Sequence, residues 1–278
     1  MSRVEVRIRS RRFLETSRRD LWWVQPALVV LGLVAFIVYT TWASLQNANY
    51  HWQGYLSPFY SPEVFGESEH AWFPKPANWP SWLPFTPAYF ILWAPALFRF
   101  TCYYWRGVYY KAFWADPVNC AVGEPRKGYR GEAKLPLILQ NIHRYFMYVA
   151  VLFLPLLAWD VYKGMWFTVQ RADGSTVREF GVGVGTVVLA LDVLFLSFYV
   201  FGCHSLRHLI GGRRDCVSKG FAGGLPYKCV SCLNGRHGFW GWVSLGWVAF
   251  ADIYVRLVAS GVWTDYRVVF FTTGAGGA

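Results

Sequence analysis

Leu21–Leu45 carries no charged residue and is long enough to cross a bilayer, whose hydrocarbon core takes about 20 apolar residues of helix. No other feature restricts the chain as strongly, because a segment facing lipid must satisfy every backbone polar group internally. Four further apolar runs follow. Pro84–Tyr104 is broken by Pro87 and Pro95, and Leu135–Trp159 is next. Val182–Leu206 contains Asp192, and Phe239–Val262 contains Asp252 and Arg256. Trp22, Trp23, Trp79, Trp82, Tyr103, Tyr104, Trp105, Trp159 and Trp166 crowd the ends of the runs. They form the aromatic belt expected at headgroup depth. The first run has too long an apolar core for a signal peptide, and no small-residue cleavage site follows it.

The expected fold is therefore all-α, an integral membrane bundle of five transmembrane helices. The helices are predicted near 21–45, 84–104, 135–159, 182–206 and 239–262, after a basic segment 1–20 and before a tail 263–278. Composition agrees: the chain is 55% hydrophobic and only 15% charged, against about 25% charged in soluble proteins.

The net charge of +11 has to be judged by where it falls. Arg3, Arg7, Arg9, Arg11, Arg12, Arg18 and Arg19 precede the first run, whereas the 46–83 loop has only Lys75. The 105–134 loop has Arg106, Lys111, Arg126, Lys127, Arg130 and Lys134. In the 160–181 loop Lys163, Arg171 and Arg178 are balanced by Asp160, Asp173 and Glu179. The 207–238 loop has Arg207, Arg213, Arg214, Lys219, Lys228 and Arg236, and the tail has Arg267. Heavy and light segments alternate, which predicts a cytoplasmic N-terminus and an outer C-terminus. The charge is thus a topology signal, and no nucleic-acid partner is expected. The Pro- and Trp-rich 46–83 loop is expected to be an ordered outer cap, because it has too much apolar surface to stay solvated. The tail TTGAGGA is expected to be disordered.

That topology sorts the thiols and imidazoles. Cys102, Cys120, Cys203, Cys216, Cys229 and Cys232, with His143, His204, His208 and His237, all fall on the cytoplasmic side; His51 and His70 do not. Disulfides are disfavoured in that compartment, so the cluster is a metal-ligand candidate. His204 and His208 are four apart and share a helix face. Mixed thiolate and imidazole donors suit zinc or an iron–sulfur centre, and two Cys with two His on different irons is the Rieske pattern. Singly, a Cys in a membrane helix is an apolar filler and a His near a helix end is interfacial; as a group they favour a cofactor. Two alternatives stand beside it. A haem b would take His143 with His204 or His208 at the inner side. A zinc site would take Cys216, Cys229, Cys232 and His237. No internal repeat marks a transporter, and no H-E-x-x-H marks a zinc protease.

Asp192, Asp252 and Arg256 are costly in hydrocarbon and should face the bundle interior. Asp252 and Arg256, at i and i+4, are expected to pair as a clamp or to serve a proton path.

Several stretches carry a family likeness: RRDLWWVQP (18–26), LSPFYSPE (56–63), FRFTCYYWRGVYYKAFW (98–114), CAVGEPRKGYRGE (120–132), LILQNIHRYF (137–146), GCHSLRH (202–208) and LNGRH (233–237). On these the chain resembles the cytochrome b-like membrane anchor of bacterial succinate dehydrogenase, in the single-chain five-helix form of actinobacteria. The resemblance implies a multi-pass protein of the bacterial cell membrane, with a flavoprotein subunit and an iron–sulfur subunit docked on its cytoplasmic face. It implies electron transfer from succinate oxidation to membrane quinone, with no site for succinate in this chain; the quinone slot would lie near the inner cluster, where Trp105, Tyr109, Tyr110, Arg144 and Tyr145 are available, and the haem alternative would make the chain a membrane subunit of another quinone oxidoreductase. It also implies a membrane-embedded Rieske-like 2Fe–2S cluster, whose ligands would come from Cys102, Cys120, His143, Cys203, His204, His208 and His237. The chain departs from soluble Rieske domains, which use a C-x-H and C-x-x-H pair in β-loops.

Overall fold

The computed structural model describes residues 12–115, 117–125, 133–135, 137–172, 174–211 and 224–273. The first helix, α1, is Val24–Gln46. Four two-residue strands follow in the next segment: β1 (His51–Trp52), β2 (Tyr55–Leu56), β3 (Phe65–Gly66) and β4 (Phe73–Pro74). Then come α2 (Trp93–Thr101), α3 (Tyr103–Tyr109), α4 (His143–Lys163), β5 (Trp166–Gln170) and β6 (Thr176–Gly183). The chain continues with α5 (Val184–Phe201), α6 (His204–Ile210), α7 (Leu225–Gly235), α8 (His237–Ala259) and β7 (Arg267–Thr273).

Among the described residues four helical segments are long and apolar enough to cross a membrane: Val24–Gln46, Leu137–Lys163, Val184–Phe201 and His237–Ala259. The stretch expected to span over 84–104 forms the shorter apolar helix Ala88–Thr101. Pro84 and Pro87 disfavour α geometry before it, and Cys102, extended at φ −66° and ψ 130°, ends it. The expected all-α class is also incomplete. The 160–181 loop and part of the tail form an antiparallel sheet in the order β5-β6-β7. Its strands are rich in β-branched and aromatic residues, which suit a pleated, half-buried surface. Residues 274–278 of the tail, and Cys216, lie outside the described residues.

The chain divides into two compact units, one from Met1–Ile37 and Arg99–Ile142, the other from Val38–Phe98 and His143–Ala278. In the first, the segment before α1 is tied to residues 119–123. Leu14 N–H donates to Gly123 O and Gly123 N–H to Glu15 O, each at 2.9 Å, and Asn119 Nδ2 donates to Trp22 O at 2.9 Å.

The second unit is centred on Tyr55, Phe167, Val188, Leu189, Ala251, Tyr254, Val255 and Val258. A Cβ on Gly185 would strike the Tyr55 ring, so the absence of a side chain there lets the cap segment seat on α5. Asp265 secures the start of α5: it accepts from Gly185 N–H at 2.8 Å, Tyr55 Oη at 2.9 Å and Tyr254 Oη at 2.7 Å. A carboxylate there also meets the positive end of the helix dipole.

Asp252 and Arg256 pair as expected, Nε to Oδ2, at 2.7 Å. Tyr39 Oη donates to Asp252 Oδ2 at 2.5 Å, and Ser57 Oγ donates to Oδ1. Arg256 reaches the C-terminal turn of α1 and the segment just after it, donating to Ala43 O at 2.7 Å and Ala48 O at 2.8 Å. A guanidinium suits those orphan carbonyls. The segment 46–83 is ordered and holds a second buried carboxylate, Glu63, which accepts from Tyr50 Oη at 3.0 Å and from Ser68 Oγ. Asp160, at the end of α4, accepts from Ser61 Oγ and pairs with Lys163 Nζ at 2.8 Å.

Candidate redox site

Two short motifs share one backbone form. In TCYYWR and GCHSLR a helix ends, a cysteine takes extended backbone, and a new helix starts on the next residue. Cys102 has φ −66° and ψ 130°, and Cys203 has φ −62° and ψ 134°. In each case the cysteine carbonyl accepts from the arginine four residues on, Arg106 N–H at 2.9 Å and Arg207 N–H at 3.0 Å. Both side chains are buried, Cys203 completely. A buried thiol at a helix break, rather than on a helix face, is held in place by backbone on both sides.

In the second unit Cys203 meets an imidazole. His143, the first residue of α4, places Nε2 at 3.3 Å from Cys203 Sγ. The His143 ring stacks on Phe98, with centroids 4.9 Å apart and planes 13° from parallel. Phe98 meets Tyr199 edge-on at 5.4 Å, and Tyr199 stacks on His237 at 4.7 Å and 13°. His143 and His237, each opening a long helix, therefore bracket one pair of aromatic rings. Gly202 leaves room for the second imidazole: a Cβ there would stand 3.2 Å from His237 Nδ1 and 2.9 Å from Phe198 O. Asn234 Nδ2 donates to Gly202 O at 2.8 Å, fixing the peptide that leads into Cys203.

The other sequence candidates differ in burial and partners. His204 and His208 are exposed, and Arg144 Nη2 lies 3.4 Å from His208 Nδ1. A guanidinium is always a donor, so Nδ1 of His208 is the accepting nitrogen. Tyr145 is 68% exposed. In the first unit Cys120 is exposed, and its carbonyl accepts from Arg18 Nη1 at 3.1 Å. Trp105 is buried there beneath Arg99, whose guanidinium lies 5.6 Å from its ring. Tyr109 donates to Phe100 O at 2.7 Å, and burial pushes its hydroxyl up to about 12. Tyr110 is also buried. Cys229 and Cys232 are exposed on α7, while His237 is buried against Tyr199; Cys216, the third cysteine of the zinc alternative, lies outside the described residues.

Among the described residues no three or more His, Cys, Asp or Glu side chains stand together as a ready metal cage. The donor chemistry nonetheless fits a mixed centre in kind. A fully buried thiol and an imidazole touch, and a second imidazole borders the residue before the cysteine. Phe98, Tyr199, Gly202 and Asn234 were not singled out by sequence. Their only signal is position, since each lies within or beside FRFTC, GCHSLRH or LNGRH.

A family model described as actinobacterial succinate dehydrogenase subunit SdhC matches residues 24–261. Among solved structures, a chain of the Mycobacterium smegmatis Sdh1 complex in the apo form is similar, with 36% identity and a TM-score of 0.79. The similarity covers 98% of this chain and 99% of that one. No curated protein sequence matches significantly.

Proposed function

The chain belongs to the actinobacterial succinate dehydrogenase subunit SdhC family, and from that premise we propose that it carries electrons from an iron–sulfur subunit to membrane quinone. It is a membrane-anchor subunit of an oxidoreductase complex, with several apolar helices. In this reading the flavoprotein subunit oxidises succinate, releasing two electrons and two protons, and the iron–sulfur subunit passes the electrons to this anchor. Membrane quinone then takes up two electrons and two protons to become quinol. In the same reading the alternation of basic and light connections supports a cytoplasmic N-terminus and an outer C-terminus, with the segment 84–104 as a fifth crossing.

The observation that carries this reading is the 3.3 Å contact between His143 Nε2 and buried Cys203 Sγ. These two, with His237, are the residues we assign as ligands of a Rieske-like 2Fe–2S cluster. Such a cluster supplies a one-electron step, and imidazole ligands on one iron raise its potential towards that of quinones. The protein's own contribution is to hold both ring planes on Phe98 and Tyr199 and to keep water from the thiol. An affinity-tagged chain should co-purify with a flavoprotein and an iron–sulfur subunit, and the assembly should reduce quinone with succinate. A chain isolated from intact membranes without either subunit would refute the reading.

A further inference from the structure

The sheet β5-β6-β7 has two unlike faces. Phe167, in β5, is fully buried and packs at right angles on Tyr55, with centroids 5.8 Å apart. Its neighbour Trp166 turns to the opposite face and starts a row across all three strands. Trp166 pairs with Phe180, and Phe180 pairs with Phe271. Their rings lie 5.0 Å apart at both steps. Arg178, on the same face two residues before Phe180, holds its guanidinium 5.3 Å from the Trp166 ring. Phe271 is 50% exposed, and the edge strand adds Phe270 at 61%.

Chain connectivity says what covers this face. β6 runs without a break into α5, and β5 begins three residues after α4 ends. α5 has only 18 residues, which makes about 27 Å of helix at 1.5 Å per residue. The hydrocarbon core is about 30 Å thick and the bilayer with its headgroups about 40–45 Å. An α5 that crosses the membrane therefore leaves the headgroup layer beside its first residue to be filled by the strand before it. Phe180 is four residues from Val184 along that strand.

We infer that the outward face of this sheet, the row Trp166–Phe180–Phe271 with Arg178, lies in the headgroup layer and binds phospholipid. The rings sit against the upper acyl chains, and the guanidinium faces the lipid phosphates. A hydrocarbon-to-water boundary is where aromatic rings and long cationic side chains concentrate. The inference needs only that α4, α5 and α8 cross the membrane, so it stands or falls separately from the electron-transfer reading.

The test replaces Phe271 by photoreactive p-benzoylphenylalanine in the full complex, reconstituted in nanodiscs of phosphatidylcholine and phosphatidylglycerol. Leu31, 65% exposed on α1, carries the same group in a parallel sample as the lipid-facing control. Assembly is checked by size-exclusion chromatography before irradiation, and adducts are mapped by mass spectrometry. A second sample with the group at Trp166 covers the case in which the Phe271 variant fails to assemble. The expected result is a phospholipid adduct at the sheet position as well as at the control. A protein adduct, whether to another subunit or a second copy, or no adduct beside a labelled control, would overturn the inference.

Discussion

His143 Nε2 lies 3.3 Å from Cys203 Sγ, although the two residues are 60 positions apart in the chain. One opens a long helix and the other caps a short one, so the contact depends on two helix ends meeting. Removing either side chain should cost function without removing the bundle. In Cys203→Ser and His143→Gln, succinate-dependent quinone reduction should fall by about 100-fold or more, by analogy with losses at metal sites. Succinate oxidation with a soluble dye should be retained, and comparing the two assays checks this.

Gly202 separates packing from ligation. A Cβ there would come within 2.9 Å of Phe198 O, 3.1 Å of Leu233 O and 3.2 Å of His237 Nδ1. Two of these are backbone atoms, so the strain falls on the helix break and on the imidazole together. Gly202→Ala should destabilise the chain by about 1–3 kcal/mol, as overpacking does. A lower thermal-unfolding midpoint in detergent would show it.

Asp252 reads as a clamp. Oδ2 is engaged by Tyr39 and Arg256, and Oδ1 by Ser57. Asp252→Asn leaves a buried guanidinium without its counter-charge, a loss of about 3–5 kcal/mol. Turnover per assembled complex should stay near wild type while thermal stability drops. A variant of full stability whose quinone reduction collapses would favour the proton path instead.

His70 gives a pH dependence outside the spans. Burial lowers its pKa from 6.5, and Lys163 Nζ, 3.1 Å from Nδ1, also disfavours the imidazolium. Nε2 faces Gln53 O at 2.8 Å, with Asp160 and Glu69 as nearby opposing charges. The unfolded chain therefore binds a proton at a higher pH than the folded one. Stability from this group is complete above pH 6.5 and declines as pH falls towards the lowered folded value. His70→Gln should flatten that part of the stability profile, which unfolding midpoints between about pH 5 and 8 would reveal.

Four of the five expected spans were legible because composition alone marks them, whereas 84–104 holds only the shorter helix Ala88–Thr101; Asp252 with Arg256 was legible because helical spacing pairs them locally. The sheet was not. Trp166–Phe180 is a neighbouring pair, but β7 joins it from more than 80 residues away, with α5 and α8 in between. Non-local strand pairing leaves little trace in a loop read for its charges. The redox candidates were visible as residue types, yet only the helix breaks at Cys102 and Cys203 distinguish them from Cys120 and His204. Phe98 and Tyr199 were hidden because aromatics make up 20% of the chain.

Electron paramagnetic resonance of the purified, reduced complex, together with iron and acid-labile sulfide analysis, tests the roles of Cys203 and His143 most directly. A Rieske-type signal is expected, and it should disappear in Cys203→Ser while the complex stays assembled. A wild-type complex that reduces quinone with no such signal, or with a haem α-band in its place, would contradict the assignment, as would a signal unchanged in Cys203→Ser.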